Sequence, residues 1–283
     1  MTKGSCLCGA VRYEIDGPIN MMLNCHCSMC RKQSGASFVT FVAAPLDGYR
    51  VLEGEASIGH YESSPGHRRN FCTHCGSMLP EAMPAMGMIV AAAGNLEGDL
   101  GLKPQMHIFA GSKAPWYTIT DELPRHDTYP PGFQAQPTPR ASYEPRGDEV
   151  HGSCLCGKVE FEINGPPSGM FYCHCSRCRK GRSAEHATNI FYKANDFKWL
   201  KGESLVKSYK LPEAQYFSTA FCKECGAGVP GVSFERNIAV VPAGSLDNDP
   251  GVRAKARICV DSKADWSVIT DDIPRFADMP PRR

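Results

Sequence analysis

The 283-residue sequence lacks the long apolar runs that membrane-spanning helices require. A spanning helix needs roughly 18 or more consecutive apolar residues, and the longest candidate segment, 86–94, is far shorter. The N-terminal residues contain no apolar core of the kind found in secretion signals. We therefore expect no membrane association and no secretion, and the cytoplasm is the predicted location.

An excess of charge of either sign is also missing. The chain has 31 Lys and Arg residues against 30 Asp and Glu residues, a formal net charge of +1. This balance gives no general reason to bind nucleic acid or an anionic membrane, and we expect neither as a partner. With 42% hydrophobic and 22% charged residues, the composition is typical of a globular protein and excludes extended disorder.

Long amphipathic helices are not visible, and the patterns that are present are those of short strands. Segments 11–15 and 159–163 alternate apolar and polar residues, and segments 37–42 and 238–241 are rich in β-favouring residues. The 27 glycines and 22 prolines are scattered at turn spacing. The sequence predicts a mostly β fold with few short helices.

The sequence does contain an internal duplication. Three cysteine motifs recur in the same order in the two halves of the chain, the first two 148 residues apart and the third 150 residues apart. The matched segments are 4–9 with 152–157, 25–32 with 173–180, and 71–76 with 221–226. One two-residue insertion explains the change of offset, and a period this long indicates a duplicated domain rather than a solenoid.

This duplication predicts two tandem small domains, which we call the first repeat (1–127) and the second repeat (151–283). The segment between them, 128–150, contains five prolines and almost no apolar periodicity. We predict it to be a stiff, extended linker. A loop lying across one of the two domains is the alternative.

Cysteine is abundant, and 14 of the 15 cysteines occupy matched positions, seven in each repeat. In a chain expected inside the cell, this number indicates metal or redox chemistry rather than disulfides. A structural zinc ion takes four protein ligands, whereas a reactive zinc ion takes three and keeps one position open. Seven thiols therefore divide most naturally into four and three.

We assign the four-cysteine site to the first and last cysteine pairs of each repeat, and the three-cysteine site to the central motif. The predicted four-cysteine ligands are Cys6, Cys8, Cys72 and Cys75, and in the second repeat Cys154, Cys156, Cys222 and Cys225. The predicted three-cysteine ligands are Cys25, Cys27 and Cys30, and in the second repeat Cys173, Cys175 and Cys178. A rival assignment completes the central trio with one cysteine of the last pair and leaves free thiols.

Basic and histidine side chains accompany the central trio in both repeats. The basic pairs that follow it are Arg31 with Lys32 and Arg179 with Lys180. They could offset the negative charge of the site or bind the carboxylates of a substrate, and solvated surface cations are the alternative. His26 and His174 each lie between two cysteines. In an extended segment such a side chain points away from its neighbours, so we expect it to pack or donate a hydrogen bond rather than bind their metal.

The spaced motifs resemble those of a known family. Gly-Ser-Cys-x-Cys-Gly, Cys-His-Cys-x-x-Cys-Arg, Phe-Cys-x-x-Cys-Gly and a late Ser-Lys-Ala-x-Trp are similar to the glutathione-dependent formaldehyde-activating enzyme family, the GFA or centromere protein V domain. The resemblance covers nearly all of both repeats. It implies two β-tent domains with two Zn²⁺ sites each, four per chain, the central trio holding the reactive ion and the outer pairs the structural one.

Two functions follow from this resemblance. The first is a carbon–sulfur lyase resembling S-(hydroxymethyl)glutathione synthase, which adds a zinc-bound thiol such as glutathione to a small aldehyde. The second is a non-catalytic zinc-binding module for protein interaction. Three thiolates and one Zn²⁺ sum to a charge of −1, which suits nucleophilic sulfur better than activation of water. The sequence assigns no further catalytic residue.

Overall fold

A computed structural model describes residues 1–132 and 149–279. Within these residues the chain is mostly β, with two short α-helices, and the predicted fold class is confirmed. Each α-helix is seven residues long, so no helix in this part of the chain could span a membrane. Residues 133–148 of the predicted linker lie outside the described residues. Its described ends belong to ordered structure, because the carbonyl of Thr128 accepts a hydrogen bond from Phe109 and Val150 begins a strand.

The first repeat, every residue of which is described, forms three small sheets. Its elements are β1 (Thr2–Ser5), β2 (Arg12–Ile15), β3 (Met21–Cys25), α1 (Ser28–Ser34), β4 (Val39–Pro45), β5 (Tyr49–Glu53), β6 (Ile58–Ser64), β7 (His67–Cys72), β8 (Met78–Leu79), β9 (Glu81–Met83), β10 (Met88–Ala92) and β11 (His107–Ile108). The sheet orders are β1-β2-β5, β11-β3-β4-β10-β9 and β6-β7-β8. The β11–β3 pair is parallel, whereas β3, β4, β10 and β9 pair antiparallel.

The second repeat builds the same arrangement. Its described elements are β12 (Val150–Ser153), β13 (Glu160–Ile163), β14 (Gly169–Cys173), α2 (Ser176–Arg182), β15 (Ala187–Tyr192), β16 (Phe197–Lys201), β17 (Val206–Lys210), β18 (Ser218–Cys222), β19 (Gly231–Ser233), β20 (Ile238–Pro242) and β21 (Ala256–Ile258). The sheet orders are β12-β13-β16, β19-β20-β15-β14-β21 and β17-β18. The duplicated sequence therefore folds twice into corresponding sheets, the third of which has three strands in the first repeat and two in the second.

The two repeats exchange the segments that carry their late tryptophans. Trp116 of the first repeat is 2% exposed and belongs to the apolar cluster that contains Phe161 and Ile190 of the second repeat. Trp266 of the second repeat is equally buried and packs in the cluster around Val11 and Ile89 of the first. Each tryptophan is thus a core residue, but it completes the core of the other repeat.

The Cys-x-x-Cys-Gly turns also lie in the contact between the repeats. Gly76 and Gly226 have φ angles of 78° and 70°, in the left-handed region that favours glycine. A Cβ atom on Gly76 would overlap the ring of Phe221, and a Cβ atom on Gly226 would overlap the ring of Phe71. Each turn is therefore covered by the aromatic ring that precedes the matching turn of the other repeat.

A buried ion pair joins the repeats on one side of the pseudosymmetric contact. Lys32 of α1 is 3% exposed and pairs with Asp247, and its Nζ also donates to the hydroxyl oxygen of Ser153 at 2.7 Å. The matching residue, Lys180 of α2, pairs with Glu97 at 3.0 Å, but there the side chains are 25% and 52% exposed. The two lysines occupy the same position in their repeats and differ mainly in how much water reaches the pair.

Replacing each lysine with methionine should therefore have unequal effects. Lys32→Met leaves the carboxylate of Asp247, which is only 13% exposed, without its cation, and we expect a loss of about 3 kcal/mol in the free energy of unfolding. Lys180→Met should cost less than about 1 kcal/mol, because its carboxylate partner is solvated. Denaturant unfolding of the two variants measures both values. Equal losses would show that burial does not distinguish the two pairs.

Candidate metal centres and the adjoining cavity

Four cysteines meet in each repeat where the chain leaves the first strand and turns after a later one. Cys6 and Cys8 follow β1, Cys72 ends β7, and Cys75 lies in the turn after it. The Sγ atoms of Cys6 and Cys8 are 3.4 Å apart, and those of Cys8 and Cys72 are 3.7 Å apart. In the second repeat the Sγ atoms of Cys154, Cys156, Cys222 and Cys225 form the same cluster.

The sulfur positions of these clusters suit a tetrahedral metal ion. A Zn–S bond of about 2.3 Å gives tetrahedral S–S separations of about 3.8 Å. All four Sγ atoms of each cluster lie within 4.8 Å of one another, and the backbone N–H groups of Val11 and Val159 donate to the sulfurs of Cys6 and Cys154 at 3.3 Å. The donor set and its spacing fit a closed site with four sulfur ligands.

The central cysteines form a second cluster at the start of a helix. In the first repeat Cys25 ends β3, Cys27 caps α1, and Cys30 lies in its first turn. The Sγ atoms of Cys25 and Cys30 are 3.6 Å apart, and the backbone N–H of Cys30 donates to the sulfur of Cys27 at 3.3 Å. Because the helix begins directly after the strand, three sulfurs from six residues face one point.

The second repeat repeats this geometry. The Sγ atoms of Cys173 and Cys175 are 3.7 Å apart, and the backbone N–H of Cys178 donates to Cys175 at 3.4 Å. Cys27 and Cys175 are the half-buried members of their clusters. Each trio could hold a metal ion with three sulfur ligands and leave a further position for an exchangeable one.

The thiols of each trio differ in pKa. Hydrogen bonds from Cys25 and Cys30 hold the pKa of Cys27 well below its usual range, whereas the hydrogen bond with Cys27 and burial raise the pKa of Cys25. In the second repeat, hydrogen bonds from Cys173 and Cys178 lower the pKa of Cys175 to about 2. One thiolate is therefore favoured in each trio, and metal ligands must be thiolates.

His26 and His174 point away from the sulfurs on either side of them. Nε2 of His26 lies 2.8 Å from Nδ1 of His107. The other ring nitrogen of His107, Nε2, lies 2.9 Å from the carboxylate of Asp121. Burial lowers the pKa of both His26 and His174 to about 3, so both rings are neutral near pH 7. The expected packing and hydrogen-bonding role is what the structure shows, and neither ring joins the sulfur clusters.

A cavity of about 560 Å³ opens on the trio of the first repeat. Its polar wall includes Arg69, whose Nη1 lies 3.7 Å from the sulfur of Cys30 and 3.1 Å from the side-chain oxygen of Gln33. Burial opposes the charge of Arg69, but its electrostatic interactions with Cys30 and Cys27 raise its pKa, so the guanidinium remains charged. The cavity therefore joins a sulfur cluster to a fixed cation.

The sulfurs of each repeat lie in one group of four and one group of three, and each group could hold a metal ion. Their assignment as metal ligands stays a prediction.

Comparison with known protein families gives a match. The family described as glutathione-dependent formaldehyde-activating enzyme matches residues 1–112 and 149–262, which is most of both repeats. The chain belongs to this family.

Two curated relatives share part of the sequence. A putative glutathione-dependent formaldehyde-activating enzyme of Halomonas elongata is 30% identical over 128 residues, which is 42% of this chain and 81% of the relative. An uncharacterized lyase of Schizosaccharomyces pombe is 32% identical over 77 residues, 27% of this chain and 54% of the relative. A crystal structure of a Rhodobacter sphaeroides protein, 28% identical, matches with a TM-score of 0.30 over 34% of this chain and 88% of that one.

The four basic residues predicted to contact substrate make other contacts in the structure. Arg31 lies beside the cavity of the first repeat, because its Nη2 donates to the carbonyl of Ser112, which lines it. Lys32 and Lys180 are bound in the contact between the repeats, to Asp247 and Glu97, and this is a different role from the predicted one. Arg31 donates through its Nε to the carbonyl of His26 at 3.4 Å. None of the four lines the cavity. Substrate binding by Arg31 and Arg179 stays a prediction.

Arg69 and Gln33 are two polar residues of the cavity wall that the sequence analysis did not identify. Comparing the repeats emphasises positions that recur, and the residues matching Arg69 and Gln33 are Thr219 and Gly181. A search for recurring positions therefore misses Arg69 and Gln33. They could have been found by looking for positions near the sulfur motifs at which the two repeats differ.

Proposed function

We propose that this chain is a zinc-dependent carbon–sulfur lyase-like protein, similar to S-(hydroxymethyl)glutathione synthase, that adds a thiol such as glutathione to a small aldehyde. The observation that carries the proposal is the cavity that opens on Cys25, Cys27 and Cys30. The names of the family and of the Halomonas elongata relative support the same chemistry. We further propose two zinc ions in each repeat, four per chain, with the fourteen clustered cysteines as their ligands.

The chemistry proposed for the first trio requires a nucleophilic sulfur and an electrophilic carbon. Zinc held by Cys25, Cys27 and Cys30 would keep a substrate thiol deprotonated and reactive. The substrate sulfur forms a bond with the carbonyl carbon, the C=O π pair moves to oxygen, and that oxygen takes up the proton that the thiol lost. The product is a hemithioacetal, and no atom is oxidised or reduced.

Arg69 would support this step through charge. Three thiolates, one Zn²⁺ and a substrate thiolate sum to −2, and the guanidinium beside Cys30 offsets part of that charge. Because the cation lies in the cavity wall, it is also placed to attract a carboxylate of a glutathione-like thiol. We assign Arg69 as a positioning residue for the thiol substrate.

A cytoplasmic location is part of the proposal. The described residues include all fifteen cysteines, and no disulfide joins any of them. Thiols are maintained in this form in a reducing compartment.

Exchange spectroscopy tests the proposed reaction, because glutathione and formaldehyde also combine without a catalyst. With ¹³C-formaldehyde, zinc-loaded protein should accelerate exchange between free aldehyde and hemithioacetal in proportion to protein concentration, without changing the equilibrium. Zinc-replete protein that leaves the exchange rate at its uncatalysed value would contradict the proposal and favour a zinc module for protein interaction.

A further inference from the structure

The cavity of the first repeat extends from the sulfur cluster along one face of the five-stranded sheet. Leu23 lies opposite Phe41, and Met21 lies opposite Ala43, which in turn pairs with Val90. These side chains share a face because alternate residues of a strand point to the same side. Cys25 and Met21 are four residues apart on β3, so the cavity extends about 13 Å from the sulfurs.

The wall of this cavity is largely apolar and adaptable. Six of the chain's 11 methionines line it: Met29 and Met78 near the sulfurs, and Met21, Met83, Met86 and Met88 toward the other end of the sheet. Methionine side chains are flexible and polarizable, and they accommodate apolar groups of varied shape. A volume of about 560 Å³ is that of a site for a ligand of many atoms, whereas formaldehyde has two heavy atoms.

A glutathione-like thiol does not explain the apolar wall. Its carboxylates and amides need polar partners, and burying them against methionine without such partners is costly. Of the polar side chains that line the cavity, Arg69 and Gln33 lie beside Cys30 at the sulfur end. His67 and Glu81 lie toward the other end and contact each other at 4.0 Å, and most of the wall around them is apolar. The methionine end therefore fits the other reactant.

In the second repeat, aromatic side chains cover the matching face of the sheet. Phe171 and Phe191 stand where the first repeat has Leu23 and Ala43, and their ring centroids are 6.0 Å apart. The ring of Phe171 also lies over Gly169, within 2.9 Å of where a Cβ atom would be. Aromatic rings thus occupy the surface that the first repeat leaves open.

We propose that the aldehyde used by the first repeat carries an apolar chain of about four to six carbons, which lies along the methionine wall while its carbonyl carbon meets the substrate sulfur at Cys25, Cys27 and Cys30. This inference rests on the proposed function. The reaction is the same addition: a C–S bond forms, the C=O π bond breaks, the oxygen takes up the thiol proton, and the apolar chain is unchanged.

Calorimetric titration of zinc-loaded protein with two unreactive product mimics, S-methylglutathione and S-pentylglutathione, tests the inference. Each fully buried methylene strengthens binding by about fourfold. We expect the pentyl thioether to bind at least about tenfold more tightly than the methyl one. Equal affinities, or no binding of either compound, would overturn the inference.

Two variants locate the effect. Ala43→Phe places in the first repeat the ring that the second repeat already has, and it should bring the ratio of the two affinities close to one. Phe191→Tyr, which keeps an aromatic ring at the matched position of the second repeat, should leave the ratio as in the unaltered protein. An unchanged ratio in Ala43→Phe would place the apolar site elsewhere. The ratio in the unaltered protein does not depend on how either variant folds.

Failure of the proposed function is a separate result. If ¹³C exchange with glutathione and formaldehyde stays uncatalysed while the pentyl thioether still binds more tightly, the result supports the apolar site and contradicts the addition reaction. If exchange is catalysed and the two thioethers bind equally, the result supports the addition reaction and contradicts an apolar aldehyde as the substrate.

Discussion

Cys72→Ser should leave the chain largely unfolded at 25 °C. This cysteine is fully buried in a four-sulfur cluster that joins β7 to the loop after β1. A structural zinc site contributes roughly 10–16 kcal/mol of apparent binding free energy to folding. This is comparable to the roughly 5–15 kcal/mol by which a typical domain is stable, so we expect its loss to unfold the chain. Circular dichroism and thermal unfolding measure the effect.

The matched variant Cys222→Ser should behave like Cys72→Ser, because its sulfur holds the same position in the second repeat. Cys259→Ala is the control. Cys259 is buried but lies outside the four sulfur clusters, so its loss should lower stability only by about 1–2 kcal/mol. A Cys72→Ser protein that unfolds at the same temperature as the control would show that this cluster does not stabilise the fold.

Cys27→Ser should lower the rate of hemithioacetal exchange by about 100-fold or more, with the fold retained. The three-sulfur cluster of the first repeat opens on the cavity, and removing one of its ligands alters the position where the substrate thiol would bind. Cys175→Ser makes the same change in the second repeat, where Phe171 and Phe191 cover the matching sheet face. That variant should keep the rate within about threefold.

Exchange rates and unfolding curves of the two variants should be recorded together. Equal losses of rate in Cys27→Ser and Cys175→Ser would show that both repeats react. Unfolding of Cys27→Ser as complete as that of Cys72→Ser would remove the distinction between a structural and a reactive cluster.

The local structure of each repeat follows closely from its sequence. The alternating segments 11–15 and 159–163 become β2 and β13, and the segment 238–241 becomes part of β20. Segments 11–15 and 159–163 alternate because their apolar side chains pack in the core, and segment 238–241 is rich in β-favouring residues; both patterns are local properties of the sequence. The grouping of sulfurs is also readable, because each site uses close pairs or trios of cysteines with fixed spacing.

The contact between the repeats could not be predicted from the sequence in the same way. The burial of Trp116 follows from its side chain, but the sequence does not say that its partners lie in the second repeat. Lys32 looks like a surface cation because lysine is rarely buried without a partner. Its partner, Asp247, is 215 residues away in the chain, and no pattern in the sequence joins the two.

The cavity depends on side chains that differ between the two repeats, and a comparison that looks for recurring residues does not identify them. Leu23 and Ala43 leave it open and the rings of Phe171 and Phe191 fill its counterpart, yet all four residues are ordinary strand residues. Which of two apolar residues leaves space is decided by packing among several strands rather than by hydropathy.

Metal content is the most direct test of two four-sulfur and two three-sulfur centres in one chain. Elemental analysis of fully reduced, zinc-replete protein, normalised to a quantitative amino-acid count, should give four zinc ions per chain. Two or fewer zinc ions would contradict the assignment, because at least two of the sulfur clusters would then bind no zinc.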